Sequence, residues 1–438
     1  MLRRNKNFNL KDMINNILMQ LHNNSQTQRE KGTYFENLIV VYFTNEPKYQ
    51  DLYKEVLTYQ KWAERNNISK ADAGIDLVAI TKTGENHAIQ CKFYDANYTI
   101  RKEDIDSFFT ASGKKDFSHR IIVTTTNHYS KNAEDAFESQ SIPVQIVDLY
   151  ELESSILDWE KYYQLQEVVL KPKKQLRQHQ KDALQNVENG FQGSNRGKLI
   201  MACGTGKTFT SLKIAEKIAG SGGSVLFLVP SLSLLSQSLT EWTQESEVHL
   251  CSFAVCSDSD VGKKKNANDD SFVTNIVHEL KYPATTNAKA LADNCNLRKS
   301  KKSMTVVFST YHSIDVINKA QQEYGLPEFD LIICDEAHRT TGATFESEDE
   351  SHFVKVHNDD FISAKKRLYM TATPKIYGEV AKAKAEKENI ALADMDDKEK
   401  FGEVFYTISF SEAVRQKLML CNRLEGLCEI HRTKKLVM

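Results

Sequence analysis

The segment KLIMACGTGKT (198–208) decides the fold class of this chain. Its first half is a short apolar run typical of a buried strand, and KTFTSLKIAEKIA (207–219) has the spacing of a helix. A glycine-rich turn between strand and helix points backbone N–H groups at phosphates, and the helix N-terminus adds positive potential. We therefore predict a phosphate-binding loop, whose residues are Gly204, Thr205, Gly206, Lys207 and Thr208.

Within this loop, Lys207 is expected to reach the β- and γ-phosphates of a nucleotide, and Thr208 to hold Mg²⁺. The general loop pattern has glycine where this chain has Met201. A glycine-rich turn with a surface lysine therefore stays open as the alternative interpretation.

Other short apolar runs alternate with helical patterns on both sides of this loop. Because they are continuously apolar, they predict a parallel sheet covered on both faces, that is, an α/β domain. The runs are SVLFLVP (224–230), MTVVFST (304–310), DLIIC (330–334) and RLYMT (367–371).

Polar residues follow two of these strands. Asp335 and Glu336 come directly after DLIIC, at the strand end that faces the ligand crevice of an open α/β sheet. We predict that Asp335 holds Mg²⁺ through water and that Glu336 polarises the attacking water, although an acidic strand end or helix cap is the alternative. Thr371 to Thr373 could relay between nucleotide and nucleic acid, or form a plain turn.

Upstream of the loop, Gln180 carries an amide that could read adenine. The alternative is a polar residue on the surface of a helix.

The order of the motifs is more specific than any one of them. Taken together they resemble the first motor domain of DEAH-type superfamily 2 helicases and translocases. The resemblance implies a RecA-like P-loop domain that uses ATP with Mg²⁺, and it adds His338 to the nucleotide-binding residues. The loop form MACGTGKT is similar to that of restriction-enzyme motor subunits, which makes Met201 less unusual. The motifs are LRQHQ (176–180), GTGKT, LVPS, STY, DEAH and TATP, spread over about 200 residues.

The same resemblance implies contacts with a DNA strand. PATTN (283–287) and FSTY (308–311) look like the strand-contacting motifs of that group. Hydroxyls and backbone amides there would bind phosphates, and the residues concerned are Thr285, Thr286, Ser309 and Thr310. The polar segment 258–303 carries two basic clusters and is long enough to hold its own helices or a functional loop.

The N-terminal part contains a hairpin pattern formed by GIDLVAIT (74–81) and HAIQCKF (87–93). If the turn is centred on Gly84, Asp76 lies opposite Lys92 and Gln90 opposite Val78. Alternation then puts Asp76, Gln90 and Lys92 on one face of the sheet. The other face would carry Ile75, Leu77, Ile89, Cys91 and Phe93.

A carboxylate, an amide oxygen and an ammonium on one sheet face can support hydrolysis. Asp76 and Gln90 would bind Mg²⁺, and Lys92 would orient water and stabilise phosphate charge. Glu36, on the helix through YFENLIVVYF (34–43), could supply another carboxylate. By geometry alone a salt bridge between Asp76 and Lys92 is the favoured alternative.

Resemblance favours the catalytic interpretation. KGTYFENLIV, AGIDLVAI, HAIQCKFY, RIIVTTT and VQIVDL look like an Mrr-type restriction endonuclease domain of the PD-(D/E)xK fold, over about residues 30–150. The match implies a mixed sheet, Asp76 as the metal aspartate, Gln90 with Lys92 as the next motif, and Glu36 as the acidic residue of the first helix. Gln90 stands where the fold more generally has a glutamate. Because one formal negative charge is missing, the affinity for Mg²⁺ should be lower.

These patterns predict an ordered series of segments. They are a helical segment (1–30), the nuclease-like domain (31–160), a linker (161–175), the RecA-like domain (176–410) and a short tail (411–438). The whole resembles the N-terminal part of type ISP restriction-modification enzymes and related type I and type III restriction helicases. Only 24 residues follow SFSEAV (409–414), whereas a second motor domain needs on the order of 150.

Three hypotheses follow. The chain could be an ATP-dependent DNA restriction nuclease, a repair helicase–nuclease without restriction specificity, or a truncated DNA-binding remnant that does not translocate. In the first case we expect double-stranded DNA as substrate, with a separate or missing second motor domain and methyltransferase or specificity subunit. Without a second domain to contribute an arginine finger, ATP turnover is expected to be slow.

Composition limits the classes further. Apolar residues make up 40% and charged residues 26% of the 438, which excludes wholesale disorder. The net charge of −2 leaves no bulk cationic field, so DNA binding must use local basic surfaces. No run is long enough to span a membrane, and no secretory signal is present. The eight cysteines contain no Cys-x-x-Cys pair, which suits free thiols and a cytoplasmic protein.

Overall fold

The computed structural model describes residues 14, 17–20, 27–69, 74–138, 140, 142–256, 282–344, 352–376 and 391–418. The chain divides into two compact units. The first contains residues 1–174, 231–244 and 256–286, and the second contains 175–230, 245–255 and 287–438. In the predicted N-terminal helix, the described residues 14 and 17–20 are helical, and Ile14, Ile17 and Leu18 are buried.

The first unit begins with a helix that the sequence specifies at both ends. Thr27 caps it through a capping box with Glu30, and the helix ends before Pro47. The helices up to residue 174 are α1 (Gln28–Asn45), α2 (Pro47–Leu52), α3 (Tyr59–Arg65), α4 (Asp106–Ser112), α5 (Lys131–Glu138), α6 (Leu149–Glu153) and α7 (Trp159–Leu165). The strands are β1 (Tyr53–Thr58), β2 (Leu77–Thr81), β3 (Asn86–Lys92), β4 (Thr99–Ile100), β5 (His119–Thr124), β6 (His128–Tyr129) and β7 (Val144–Val147).

Five of these strands form the predicted mixed sheet, in the order β1-β2-β3-β5-β7. The pairs β1–β2 and β2–β3 are antiparallel, whereas β3–β5 and β5–β7 are parallel. Apolar clusters cover both faces: Leu77 and Ile89 pack with α1 on one side, and Val78 and Ala88 pack with α4 on the other. Because both faces are covered, a polar side chain must lie at a strand end to reach solvent.

The predicted hairpin register is wrong by two residues. Leu77 pairs with Ile89 and Val78 with Ala88, so the turn is centred on Thr83 and Asp76 comes opposite Gln90 instead of Lys92. Gly84 still takes the positive φ of 92° that the turn requires. Since side chains alternate with a period of two, this shift keeps every strand residue on its predicted face.

One face assignment is also wrong. Ile75 packs with Val78 and Ala88, not with Leu77 and Ile89. The reason is that β2 begins at Leu77 and Gly74 has φ 78°, so strict alternation does not extend back to Ile75.

The segment predicted as a linker (161–175) is partly structured. Its first residues continue α7, and Tyr162 packs against the core that α1 shares with the sheet. Further on, Lys171 N donates to Ile156 O at 2.7 Å and Asp158 N to Val169 O at 2.8 Å. The chain therefore folds back on the first unit before α8 begins.

After residue 175 the described chain alternates strands and helices. The helices are α8 (Gln178–Gly193), α9 (Lys207–Ile218), α10 (Leu232–Glu245), α11 (Ala288–Arg298), α12 (Ile314–Tyr324), α13 (Lys398–Phe401) and α14 (Phe410–Arg415). The strands are β8 (Arg196–Met201), β9 (Ser224–Val229), β10 (His249–Val255), β11 (Ala284–Thr285), β12 (Ser303–Thr310), β13 (Leu331–Cys334), β14 (Gly342–Thr344), β15 (Arg367–Thr371), β16 (Ala391–Ala393) and β17 (Glu403–Ile408).

Seven strands of the second unit form one sheet, in the order β10-β12-β9-β13-β15-β8-β17. From β10 to β17 the neighbours are parallel, as predicted. Strands β10 and β17 were not predicted from the sequence. Since parallel strands end at the same edge, the turns after β8, β13 and β15 meet there.

In the polar segment 258–303, α11 provides a helix, whereas the lysines at 263–265 lie outside the described residues. Across the part of the chain that the structure describes, no helix is long and apolar enough to cross a membrane.

Buried histidines in the first unit predict acid sensitivity. His119 lies on β5 beside His87, with ring centroids 5.1 Å apart, and burial lowers the pKa of His119 to about 4. In the unfolded chain His119 is protonated near pH 6.5, whereas in the folded chain it stays neutral down to about pH 4. The free energy of unfolding is therefore unaffected by His119 above pH 6.5 and decreases as the pH falls from 6.5 to 4. Between pH 7.5 and 5 we expect His119 alone to cost about 2 kcal/mol in free energy of unfolding.

Urea titrations followed by tryptophan fluorescence measure this loss, because all three tryptophans, Trp62, Trp159 and Trp242, belong to the first unit. His119→Gln should remove about 2 kcal/mol of the pH dependence. His128→Gln, at an exposed position on β6, is the matched control. An unaltered pH dependence in His119→Gln would contradict the assignment.

Candidate functional sites

The phosphate-binding loop connects β8 to α9. Gly204 and Gly206 have φ of 80° and 85°, which favours glycine at these two positions. Met201, the departure from the general pattern, is fully buried at the end of β8 and takes no positive φ. A glycine is therefore not required at position 201, since that residue belongs to the strand and not to the turn.

Helix α8 packs against the phosphate-binding loop through Gln180 and His179. Gln180 accepts a hydrogen bond from the backbone N–H of Arg177 at 2.9 Å and donates from Nε2 to Thr205 O at 3.3 Å. A Cβ added at Gly206 would lie 2.5 Å from this amide nitrogen. His179 Nε2 also lies 2.9 Å from Thr205 O, a contact that the sequence analysis missed.

Lysine and carboxylate meet across the loop. Lys207 Nζ lies 3.9 Å from Glu336 Oε1, and Glu336 Oε2 lies 3.4 Å from His338 Nδ1. His338 Nδ1 also lies 3.0 Å from Thr371 Oγ1, which joins the DEAH turn to the predicted relay at Thr371. The hydrogen bond from His338 lowers the pKa of Glu336, with Lys207 acting in the same direction. Glu336 is thus held ionised, as an activating carboxylate must be.

Asp335 is buried next to Glu336. Burial, and secondly the charge of Glu336, raises the pKa of Asp335 to about 6. Its Oδ1 accepts from Glu336 N at 2.9 Å, and its carbonyl accepts from Tyr311 Oη at 2.8 Å. A divalent cation would offset this crowding of negative charge, so the position fits a metal-binding carboxylate.

The four residues predicted to contact a DNA strand differ in exposure. Thr286 is exposed and Thr285 is half-buried. Ser309 and Thr310 are fully buried, and their hydroxyls bond to Thr310 O and Ser313 Oγ. In this conformation the hydroxyls of Ser309 and Thr310 do not reach a phosphate outside the fold.

A second site lies in the first unit. Asp76, Gln90 and Lys92 line one cavity of about 700 Å³, at the end of β3 and the start of β2. Asp76 Oδ2 accepts a hydrogen bond from Cys91 N at 2.7 Å. This hydrogen bond holds the carboxylate at the edge of the sheet where β2 starts and β3 ends. The structure therefore brings together the three residues that the hairpin pattern selected, despite the error in register.

Gln90 shows an unused ligand atom. Its side chain is 3% exposed, and Nε2 donates to Gly74 O at 3.0 Å. Its Oε1 is buried and has no hydrogen-bond partner among the described residues. A buried amide oxygen costs free energy unless something binds it, and such an oxygen is a ligand that Mg²⁺ and Ca²⁺ accept. The arrangement of Gln90 beside Asp76 therefore fits a divalent cation.

The predicted fourth member, Glu36, lies outside the residues that line the cavity. It is half-buried on α1 and lies near Cys91, whose pKa is raised by burial and then by the charges of Asp76 and Glu36. Glu36 thus contributes negative potential to the site from the other side of β3. Within the described ranges, no three His, Cys, Asp or Glu side chains form a metal cluster.

One wall of this cavity was not predicted from the sequence. Ser107, Thr110, Ala111 and Lys114 also line it, from α4 and the turn that follows. Their spacing of three and four residues was a visible signal, since it puts them on one helix face. Nothing in the sequence, however, showed that this face is turned toward Asp76.

Two protein-family models match separate parts of the chain. Residues 44–169 match a restriction endonuclease family, Mrr_cat_2, and residues 173–376 match the family of the type III restriction enzyme res subunit. A probable helicase of African swine fever virus (isolate Tick/Malawi/Lil 20-1/1983) is 30% identical over 203 residues, 45% of this chain and 19% of the viral protein.

Among solved structures, the chain is similar to the ATP-dependent type ISP restriction-modification enzyme LlaBIII bound to DNA. The match has 38% identity and a TM-score of 0.71, and it covers 91% of this chain and 25% of that one. A nuclease-deletion mutant of the type ISP enzyme LlaGI is 40% identical over 56% of this chain and 21% of its own, with a TM-score of 0.43. The chain thus spans about a quarter or less of the length of these relatives.

Proposed function

We propose that this chain, which joins a restriction endonuclease domain to a helicase-type domain and is homologous to type ISP restriction enzymes, couples ATP hydrolysis to Mg²⁺-dependent cleavage of double-stranded DNA. The two kinds of domain imply nucleotide and divalent-metal use in general. The observation that carries the proposal concerns Gln90 in the cavity of Asp76 and Lys92: its buried Oε1 has no hydrogen-bond partner among the residues that the structure describes. It supports a cation site at the residues that the resemblance to Mrr-type endonucleases implies.

In this cavity Asp76 and Gln90 would hold Mg²⁺, which supplies Lewis acidity toward a phosphodiester. Lys92 is half-buried in the same cavity. Its ammonium group would donate to a phosphate oxygen and orient the water that attacks phosphorus. Glu36 adds negative charge nearby, which partly offsets the missing charge of the glutamine.

In the helicase-type domain Gly204 to Thr208 would hold the phosphates of ATP, with Lys207 at the β- and γ-phosphates. Thr208 and Asp335 would hold Mg²⁺, and Gln180, which already contacts the loop, would meet the adenine. Glu336, kept ionised by His338, would activate the attacking water. His338 and Thr371 would then relay the state of the bound nucleotide to the nucleic acid.

The same relatives suggest the wider setting. The solved relative LlaBIII is bound to DNA, and we propose double-stranded DNA as the substrate here. Thr285 and Thr286 remain candidates for phosphate contacts, whereas Ser309 and Thr310 would need the chain to rearrange. A second motor domain and a methyltransferase or specificity function would complete a restriction system.

A nucleotide-binding test uses Lys207→Ala. Removing the ammonium group removes charge-assisted hydrogen bonds to phosphate, so the affinity for ATP should fall roughly ten- to hundredfold in calorimetric titration. Lys217→Ala is the matched control, because Lys217 lies near the end of the same helix and pairs with Glu188 on the surface. Equal affinity in Lys207→Ala and wild type would overturn the nucleotide assignment.

The coupling is tested by incubating the 438-residue chain with circular and linear DNA in Mg²⁺, with and without ATP. Cleavage that ATP stimulates in wild type but not in Lys207→Ala supports the proposal. Nicking of any DNA without ATP would favour a repair nuclease. No cleavage and no ATP turnover would leave a DNA-binding remnant.

A further inference from the structure

The helix face that forms the second wall of the nuclease cavity is chemically distinct from the metal-binding wall. Ser107 and Lys114 line the cavity there, together with Thr110 and Ala111. Ser107 and Lys114 are both exposed, and neither is needed for the cation site of Asp76 and Gln90. The wall packs closely on that site, since a Cβ added at Gly74 would lie 2.7 Å from Ser107 Oγ.

The position of this wall is fixed from below. Arg120, 3% exposed on β5, donates from Nε to Ser112 Oγ at 2.8 Å and from Nη2 to Phe109 O at 3.0 Å. Phe108 anchors the opposite side of α4 in the core. The end of α4 and the turn to Lys114 are therefore held before any ligand arrives, which lowers the entropic cost of binding.

The charge of Lys114 is available. Among the residues that the structure describes, its side chain makes no hydrogen bond and no ion pair. Thr110 is different, because its hydroxyl already donates to Asp106 O at 2.9 Å. Lys114 is thus a cation directed at a cavity whose metal-binding residues are acidic or neutral, and a lysine in such a place meets phosphate well.

We propose that Lys114, assisted by the hydroxyl of Ser107, binds a backbone phosphate of the DNA strand next to the phosphodiester that is cleaved. This inference rests on the proposed nuclease function and adds to it a positioning residue. Asp76, Gln90 and Lys92 act at the reacting phosphate, whereas Lys114 holds the neighbouring one so that the strand lies across the cavity. No base is read, so the contact carries no sequence preference.

The first test is the salt dependence of DNA binding by the full chain, measured by fluorescence anisotropy without divalent metal so that no cleavage occurs. Losing one phosphate contact should lower the slope of log K against log salt by about 0.9 in Lys114→Gln. Lys114→Arg should restore the slope. Lys115→Gln removes the same charge from the adjacent exposed position outside the cavity, and it should leave the slope close to wild type.

The second test uses DNA with one neutral methylphosphonate at each position around the cleaved bond. In wild type, one flanking substitution should slow single-turnover cleavage roughly tenfold. In Lys114→Gln that same substitution should have no further effect, because the contact is already gone. A merely structural role of Lys114 would leave the two losses additive.

The outcomes separate the two levels of proposal. If wild type neither binds nor cleaves DNA, the proposed function fails. If wild type does both while Lys114→Gln and Lys115→Gln behave alike in both tests, only the inference on Lys114 fails. Circular dichroism of Lys114→Arg and Lys114→Gln shows whether folding is retained, and a folded Lys114→Arg that does not restore the slope also overturns the inference.

Discussion

Replacing Asp76 with Asn should lower the rate of DNA cleavage by at least roughly 10²-fold. The substitution keeps the shape and the acceptor for Cys91 N, at 2.7 Å in wild type, but removes the carboxylate charge. Two neutral amide oxygens, from positions 76 and 90, would then face the cation. Changes to partners outside the ligand shell already cost 10- to 100-fold in metal affinity, so loss of the charged ligand should cost at least as much.

Single-turnover cleavage over a range of Mg²⁺ concentrations measures the effect. Asp104→Asn is the matched control, since Asp104 accepts from the hydroxyls of Tyr94 and Tyr98 in the same unit but does not line the cavity. Nucleotide binding should be unchanged in both variants. Cleavage that persists in Asp76→Asn would contradict the assignment of Asp76 as a metal ligand.

Glu336→Gln should lower ATP hydrolysis roughly 10²- to 10⁴-fold while ATP binding is retained, because a glutamine cannot take a proton from water. The carboxylate lies between Lys207, at 3.9 Å, and His338, at 3.4 Å, and the amide can occupy the same space. Because the pKa of Glu336 is lowered, this carboxylate is already ionised at pH values above the ordinary range of a glutamate. We therefore expect that titration of Glu336 does not change the wild-type rate of ATP hydrolysis at those pH values.

Phosphate release under single-turnover conditions, with calorimetric titration of ATP alongside, separates hydrolysis from binding. Glu323→Gln serves as control because Glu323 pairs with Lys319 on the exposed face of α12, away from the loop. Hydrolysis at the wild-type rate in Glu336→Gln would show that another group activates the water.

The parallel sheet and its loop could be predicted from sequence because the signals are local. An apolar run followed by a glycine-rich turn and a helix specifies its own geometry within about ten residues, and parallel strands then bring their ends together. The contact of Lys207 with Glu336 joins motifs far apart in sequence, yet the common edge of the sheet made their meeting predictable.

The hairpin shows which features of a strand pair the sequence pattern did not predict. Its alternation was sufficient to group Asp76, Gln90 and Lys92, because a shift of two residues keeps the faces. The register itself depends on which residues close the turn, and the pattern around Gly84 allowed more than one solution. The face of Ile75 failed for a related reason, since alternation holds only inside a strand.

The sequence by itself determined the two α/β patterns, the phosphate-binding loop and the residues that gather at the ends of β2 and β3. Only the tertiary structure decided that Ser309 and Thr310 are buried, that His179 touches the loop, and that the face of α4 with Lys114 borders the nuclease cavity. The physical reason is range: periodicity and turn chemistry act between near neighbours, whereas burial and the second wall of a cavity depend on which distant element packs against a strand.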